Sequence, residues 1–182
     1  MNGLNLKSKQ RGVFSIEFAI VGVVFSLLLA FSGDVIMKIS IKGKLDRLSY
    51  SLVNVLKERT QLYGADYQLT AGEVTSLNNI AKHSLARTFN VFDESNYGFL
   101  VEELSFADVD TPNPIISEQR GTIRCRVDQS INELEKLTVL SVRGRKMPLY
   151  RVAICYESNN WFGGLVGKNY TRVMSDSIVI GR

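Results

Sequence analysis

Three patterns of apolar and polar positions divide the chain. Val13 to Ser32 reads VFSIEFAIVGVVFSLLLAFS, an apolar run of twenty residues with Glu17 as its one charge. It has no helical face, and at ~1.5 Å per residue it reaches ~30 Å, the thickness of a bilayer core. From Asp34 to Leu62 a stripe replaces the continuous run. Ile41, Leu45, Leu48, Leu52 and Leu56 fall on one helix face, while Lys44, Arg47, Asn54, Lys57 and Glu58 lie mostly off it. Gly64 punctuates this helix. Thr70-Ala71-Gly72-Glu73 is a capping-box pattern that opens a second helix to about Thr88, with Val74, Leu77, Ile80, Ala81, Leu85 and Phe89 inward.

From Tyr97 on, the period shortens towards two. Phe99 to Phe106 reads as a strand, Thr111-Pro112-Asn113-Pro114 as a loop, and Thr122 to Val127 as a second, alternating strand. Ile131 to Leu137 suits a short helix, and Thr138 to Val142 suits helix or strand. Leu149 to Tyr156 is the strongest strand, rich in branched and aromatic residues. Ser158 to Gly167 is a glycine-bearing loop with Trp161 and Phe162, read as a core plug in preference to a contact patch. Thr171 to Ile180 is a last strand. The fold class is α+β: a long N-terminal transmembrane and extended helix, a second helix, then a C-terminal antiparallel sheet.

Charge changes the picture at the N-terminus. Lys7, Lys9 and Arg11 precede the apolar run with no acid among them, which places the N-terminus in the cytoplasm and the bulk of the chain across the membrane. The run is open to three readings: a secretory signal cut after Ala30-Phe31-Ser32, a plain anchor, or a leader cut before the run. Glu17 separates them. A carboxylate within an apolar span costs about 2.5–3.5 kcal/mol on insertion scales for Asp-like charges. Neither a secretory signal nor a plain anchor uses it. A helix bundle does, if cleavage between Gly12 and Val13 makes Glu17 the fifth residue and lets it neutralise a neighbour's new N-terminal amine.

Lys9-Gln10-Arg11-Gly12 followed by Val13-Phe14-Ser15-Ile16-Glu17-Phe18-Ala19 resembles the class III signal of type IV pilins. The Glu-Phe-Ala form is similar to that of the TadE/TadF pseudopilins of tight-adherence (Flp-type) systems. The helix from Leu45 through Tyr63 is TadF-like, so the resemblance covers about the first third of the chain. It implies a pilin-like layout: a leader over residues 1–12, a transmembrane helix over 13–33, its extension over 34–63 and an extracytoplasmic α+β domain over 64–182. It also implies a minor pilin or pseudopilin that helps to initiate or cap an adhesive fibre. Its partners are a prepilin peptidase, TadE-like subunits, the major Flp pilin and the inner membrane, with the C-terminal domain periplasmic. The competing class is a single-pass anchored periplasmic binding or sensor module that is not processed.

Cys125 and Cys155 form an isolated pair in a domain expected outside the cytoplasm, where a disulfide is favoured over two buried thiols. With one His and two Cys, a zinc site of those ligands is out of reach. His83 has nothing that brings it to either cysteine, and no Walker loop, dinucleotide fingerprint, HExxH or GxSxG occurs. The expectation is no catalytic residue, no cofactor, no small-molecule substrate and no nucleic acid. Acids gather at Asp93, Glu94, Glu102, Glu103, Asp108 and Asp110. Bases follow at Arg120, Arg124, Arg126, Lys136, Arg143, Arg145, Lys146 and Arg151. They read as solvated or cross-strand-paired sheet faces in preference to subunit-pairing surfaces. The 182 residues carry 22 Lys+Arg against 18 Asp+Glu. Without Lys7, Lys9 and Arg11 the excess falls to one, so the basicity is mainly a topology signal.

Overall fold

A computed structural model describes residues 10–58, 68–109, 111–142 and 144–181, with side chains in the first helix from Phe14 onward. The expected leader residues Lys7 and Lys9, the helix end from Arg59 to Tyr63, Gly64, Asp110 and Arg143 lie outside the described residues. The architecture is α+β, as expected: helix α1 (Gln10–Lys57), helix α2 (Ala71–Thr88), then antiparallel strands. These are β1 (Tyr97–Leu104), β2 (Phe106–Asp108), β3 (Thr111–Pro112), β4 (Ile116–Gly121), β5 (Leu149–Glu157) and β6 (Arg172–Ile180). A short helix α3 (Trp161–Val166) connects β5 to β6. There are two compact units. One is α1 as far as Ile39 together with Asn159–Tyr170. The other is Ser40–Ser158 with the chain from Thr171 onward.

The second unit is built on a four-stranded sheet in the order β4-β1-β5-β6. β5 is its hub. It is buried from Leu149 to Tyr156 without alternation, so both sheet faces need cover. On one face, Tyr97, Phe99, Val101, Tyr150, Val152 and Ile154 pack with Leu45, Leu52, Val53 and Leu56 of α1 and Val74, Leu77, Ala81 and Leu85 of α2. The α1 stripe is therefore the one read from its spacing. Ser49 Oγ lies 3.1 Å from Ser175 Oγ and 2.9 Å from Ser177 Oγ, a small polar seam that joins α1 to β6. Phe89, Phe92, Tyr97 and Tyr156 close one end with edge and stacked ring contacts at 5.0–6.3 Å.

α2 starts where its capping box puts it. Thr70 Oγ1 accepts from the Glu73 amide, and Glu73 Oε2 accepts from the Thr70 amide at 2.8 Å. Its inner face departs from the expectation at one place. Ile80 is exposed and Asn78 is buried, because Asn78 Oδ1 accepts the Tyr97 hydroxyl at 3.1 Å. Burial and the nearby Glu94 raise the Tyr97 pKa well above its ordinary value, so that hydroxyl keeps its proton to donate.

The other face is covered by irregular chain, where a strand was expected. Residues 122–127 do not form a strand; the strand lies earlier, at β4. Gly121, at φ +87°, turns the chain, and the amides of Thr122 and Ile123 both donate to the Tyr97 carbonyl. Cys125 thereby crosses over the sheet and bonds Cys155 of β5, with Cα atoms 5.5 Å apart. The two cysteines pack with Leu100 and Ala153, while Ile131 and Leu134 of a 3-10 helix pack on Leu104 and Leu149. Gly98 lies beneath this bridge. A Cβ there would stand 2.1 Å from the Ile123 carbonyl oxygen and 2.7 Å from Cys155 Sγ. Replacing both cysteines with serine opens a loop of 30 residues and should lower unfolding free energy by about 3–4 kcal/mol, read by urea denaturation of the solubilised chain. Unchanged stability would mean that packing alone holds the loop.

One ion pair sits under the same cover. Glu102 and Arg151 are directly opposed on β1 and β5. Arg151 Nε and Nη2 lie 2.7 and 2.6 Å from Glu102 Oε2, and Nη1 donates to the Gln129 carbonyl at 2.7 Å. The arginine side chain is 1 % exposed, so its charge has little water to fall back on. Replacing Arg151 with Met alone should cost about 3–5 kcal/mol, because Glu102 is left unpaired. The double variant with Glu102→Leu should recover most of that loss. Equal losses from the single and double variants in thermal melts would remove the charge-pair explanation.

Candidate functional site

The candidate site is the first part of α1. The bond between Gly12 and Val13 lies near the start of the described part of α1. From Phe14 to Phe31 the large side chains are exposed on every side, Phe14 and Leu29 among the most. A helix that is apolar all round and largely exposed is built for lipid or for other helices, not for water. This helix is long and apolar enough to cross a membrane. Phe14 and Phe18 stack at 6.5 Å along one side of it.

Glu17 is exposed on this apolar surface. It lies four residues after Val13, so the two positions share a face one turn apart. The spacing sets what the site can do. Two parallel helices offset by one turn, ~6 Å, bring position 13 of one level with position 17 of the other. A positive group at that level on a neighbouring helix would meet the Glu17 carboxylate away from bulk water, where charges interact far more strongly than in water.

The apolar run ends in a polar pair that the sequence reading missed. Lys38 Nζ pairs with Asp34, four residues earlier, and both side chains are largely buried. Their i,i+4 spacing was the available signal. Trp161 and Phe162 also differ from the expectation of a core plug. Trp161 is 58 % exposed, while Phe162 meets Phe31 edge-on at 5.0 Å. The solvated-face reading of the charges holds in part. Glu102 pairs with Arg151, Lys82 with Glu94, Lys146 with Glu135 and Arg120 with Glu118. Glu103 instead turns to the helical side and accepts the Leu69 amide at 2.7 Å.

The remaining candidates stand apart from α1's apolar run. His83 is exposed on α2, and the two cysteines are joined to each other. Among the described residues, no three His, Cys, Asp or Glu side chains gather as a metal site would require.

The family model TadF, described as "Putative tight adherence pilin protein F", matches residues 5–182, nearly the whole chain. It is a pilin family, a structural rather than catalytic kind of protein. No curated protein and no solved structure matches the chain.

Proposed function

Because the chain belongs to the TadF family of tight adherence pilin proteins, we propose that it is a minor pilin or pseudopilin of a tight-adherence (Flp-type) pilus. Prepilin peptidase removes residues 1–12 and leaves Val13 as the new N-terminus. The mature subunit stays in the inner membrane, with its sheet domain in the periplasm, until it packs with TadE-like subunits and the major Flp pilin. There it helps to initiate or cap a fibre used for surface attachment.

The observation that carries this reading is the single carboxylate, Glu17, in the exposed apolar run of α1, one turn beyond a Gly-Val bond. Alone in lipid, Glu17 is a burden of about 2.5–3.5 kcal/mol on insertion scales. Paired with the Val13 amine of a neighbour it becomes a selector. Only a processed subunit offers that amine, and only the one-turn offset brings the two charges together. Cleavage and assembly are thereby coupled by electrostatics.

N-terminal sequencing of the purified protein should return Val13, and the Gly12→Leu variant should keep its leader and return Met1. Val13 from that variant would overturn the assigned cleavage. Met1 from the wild-type chain would favour an unprocessed anchored module, and Gly33 a secretory signal. Glu17→Ala should be cleaved and inserted normally. Its cross-linking to neighbouring pilin-like subunits should fall about a hundredfold or more, the equivalent of a lost buried ion pair of about 3–5 kcal/mol. Wild-type cross-linking by this variant would remove Glu17 from assembly.

A further inference from the structure

The connection from β5 to β6 is more ordered than a solvent loop needs to be. Asn160 closes it from both sides. Its side-chain amide donates to the Lys168 carbonyl at 2.7 Å, and its Oδ1 accepts the Tyr170 amide at 3.1 Å. Within it, α3 is capped by Gly167 in the left-handed region, and the Lys168 amide returns to the Gly163 carbonyl at 2.8 Å. A Cβ at Gly163 would stand 2.0 Å from Asn160 Oδ1 and 2.5 Å from the Lys168 carbonyl oxygen, so the closure needs glycine there. Several backbone groups are thus satisfied within the segment, as suits a stretch of chain where water is scarce.

Its outer surface points the same way. Trp161 and Leu165 are 58 % and 63 % exposed, and Tyr170 is about half exposed. Such a cluster is costly in water. The inner surface rests on α1: Phe162 meets Phe31, and Val24, Leu27, Leu28, Phe31, Phe162 and Val166 line an apolar groove of about 410 Å³. Val24 to Phe31 are the last two turns of the apolar run, within ~12 Å of its Ser32 end. A span of ~30 Å places those turns within one leaflet, with Phe31 at its headgroup end and Val24 nearer its midplane. α3 lies beside them, so the solvent at its level is lipid. Trp and Tyr are also the residues that settle at headgroup depth, and the exposed Lys168 has the length to reach phosphates from there.

We infer that the β5–β6 connection, Asn159–Tyr170, is a second membrane-embedded element. It seats Trp161, Leu165 and Tyr170 in the headgroup and upper acyl region of the leaflet at the Ser32 end of α1. The inference rests on the reading of α1 as a membrane span. It gives the chain two points of attachment to one leaflet, a helix that crosses and a tip that lies in the interface.

Trp161 is the one tryptophan in the sequence, so intrinsic fluorescence reports this segment directly. The full chain is reconstituted into phosphatidylcholine–phosphatidylglycerol vesicles and washed with carbonate. Lipids brominated at shallow or deep acyl positions then serve as quenchers. Expected are retention on the vesicles, blue-shifted emission, and shallow-bromine quenching several-fold stronger than deep-bromine quenching, at low and high protein density alike. Leu165→Asp should stay on the vesicles and lose several-fold in bromine quenching. Emission of a water-exposed indole, quenched by acrylamide and not by bromolipid, on carbonate-resistant protein would overturn the inference and leave the span intact. Shielding that develops only as protein density rises would assign the groove to a second copy and overturn it as well. Release of the chain by carbonate would overturn the span itself, and this inference with it.

Discussion

A strand buried on both faces sets the terms for the sheet domain. β5 is the hub of an antiparallel sheet, and none of its residues from Leu149 to Tyr156 is left to water. Helices cover one face, and their stripes supply the leucines and valines that the strand needs. The other face has no helix of comparable length to cover it. The chain between β4 and β5 must do that work with little regular structure, and its backbone and charges need partners along the way.

Those partners are supplied one at a time. The Tyr97 carbonyl takes two amides of the turn after β4, and Gln119 donates to the Cys125 carbonyl. Arg151 crosses from β5 to Glu102 and on to the Gln129 carbonyl. The disulfide fixes the middle of the cover to β5, and Gly98 leaves room beneath it. An irregular layer held this way depends on a few specific contacts, whereas the helical face spreads its stability over many interchangeable aliphatic ones.

α1 belongs to two different solvents. Its first part is apolar all round and largely exposed, and its later part carries a stripe that packs on a sheet. The match to the TadF family over residues 5–182 ties both parts to one kind of protein. On the proposed reading, Glu17 turns the membrane part from an anchor into a recognition element. The β5–β6 tip adds a second apolar surface at the level where α1's run ends.

The legible parts of the fold are the local ones. The capping box at Thr70 and Glu73 involves residues three apart, so α2 begins where its sequence says. β5 carries its own burial in its composition, and α1's run and stripe are periodic patterns needing no partner to be seen. β4 was illegible because it is a polar edge strand, with Ile116 as its one branched aliphatic residue, and edge strands need not alternate apolar side chains. Thr122 to Val127 alternates like a strand but is carried across the sheet by the turn at Gly121. Asn78 displaced Ile80 from the core because a buried tyrosine hydroxyl needs an acceptor. Trp161 faced outward because Phe162 took the inner position against Phe31. The sequence by itself determined where the chain is apolar all round, where it is striped, and which carboxylate breaks the run, since these are properties of consecutive residues. Only the tertiary structure decided which face of the sheet the cysteines close, which charges pair and what rests on α1, because those depend on residues brought together from distant parts of the chain.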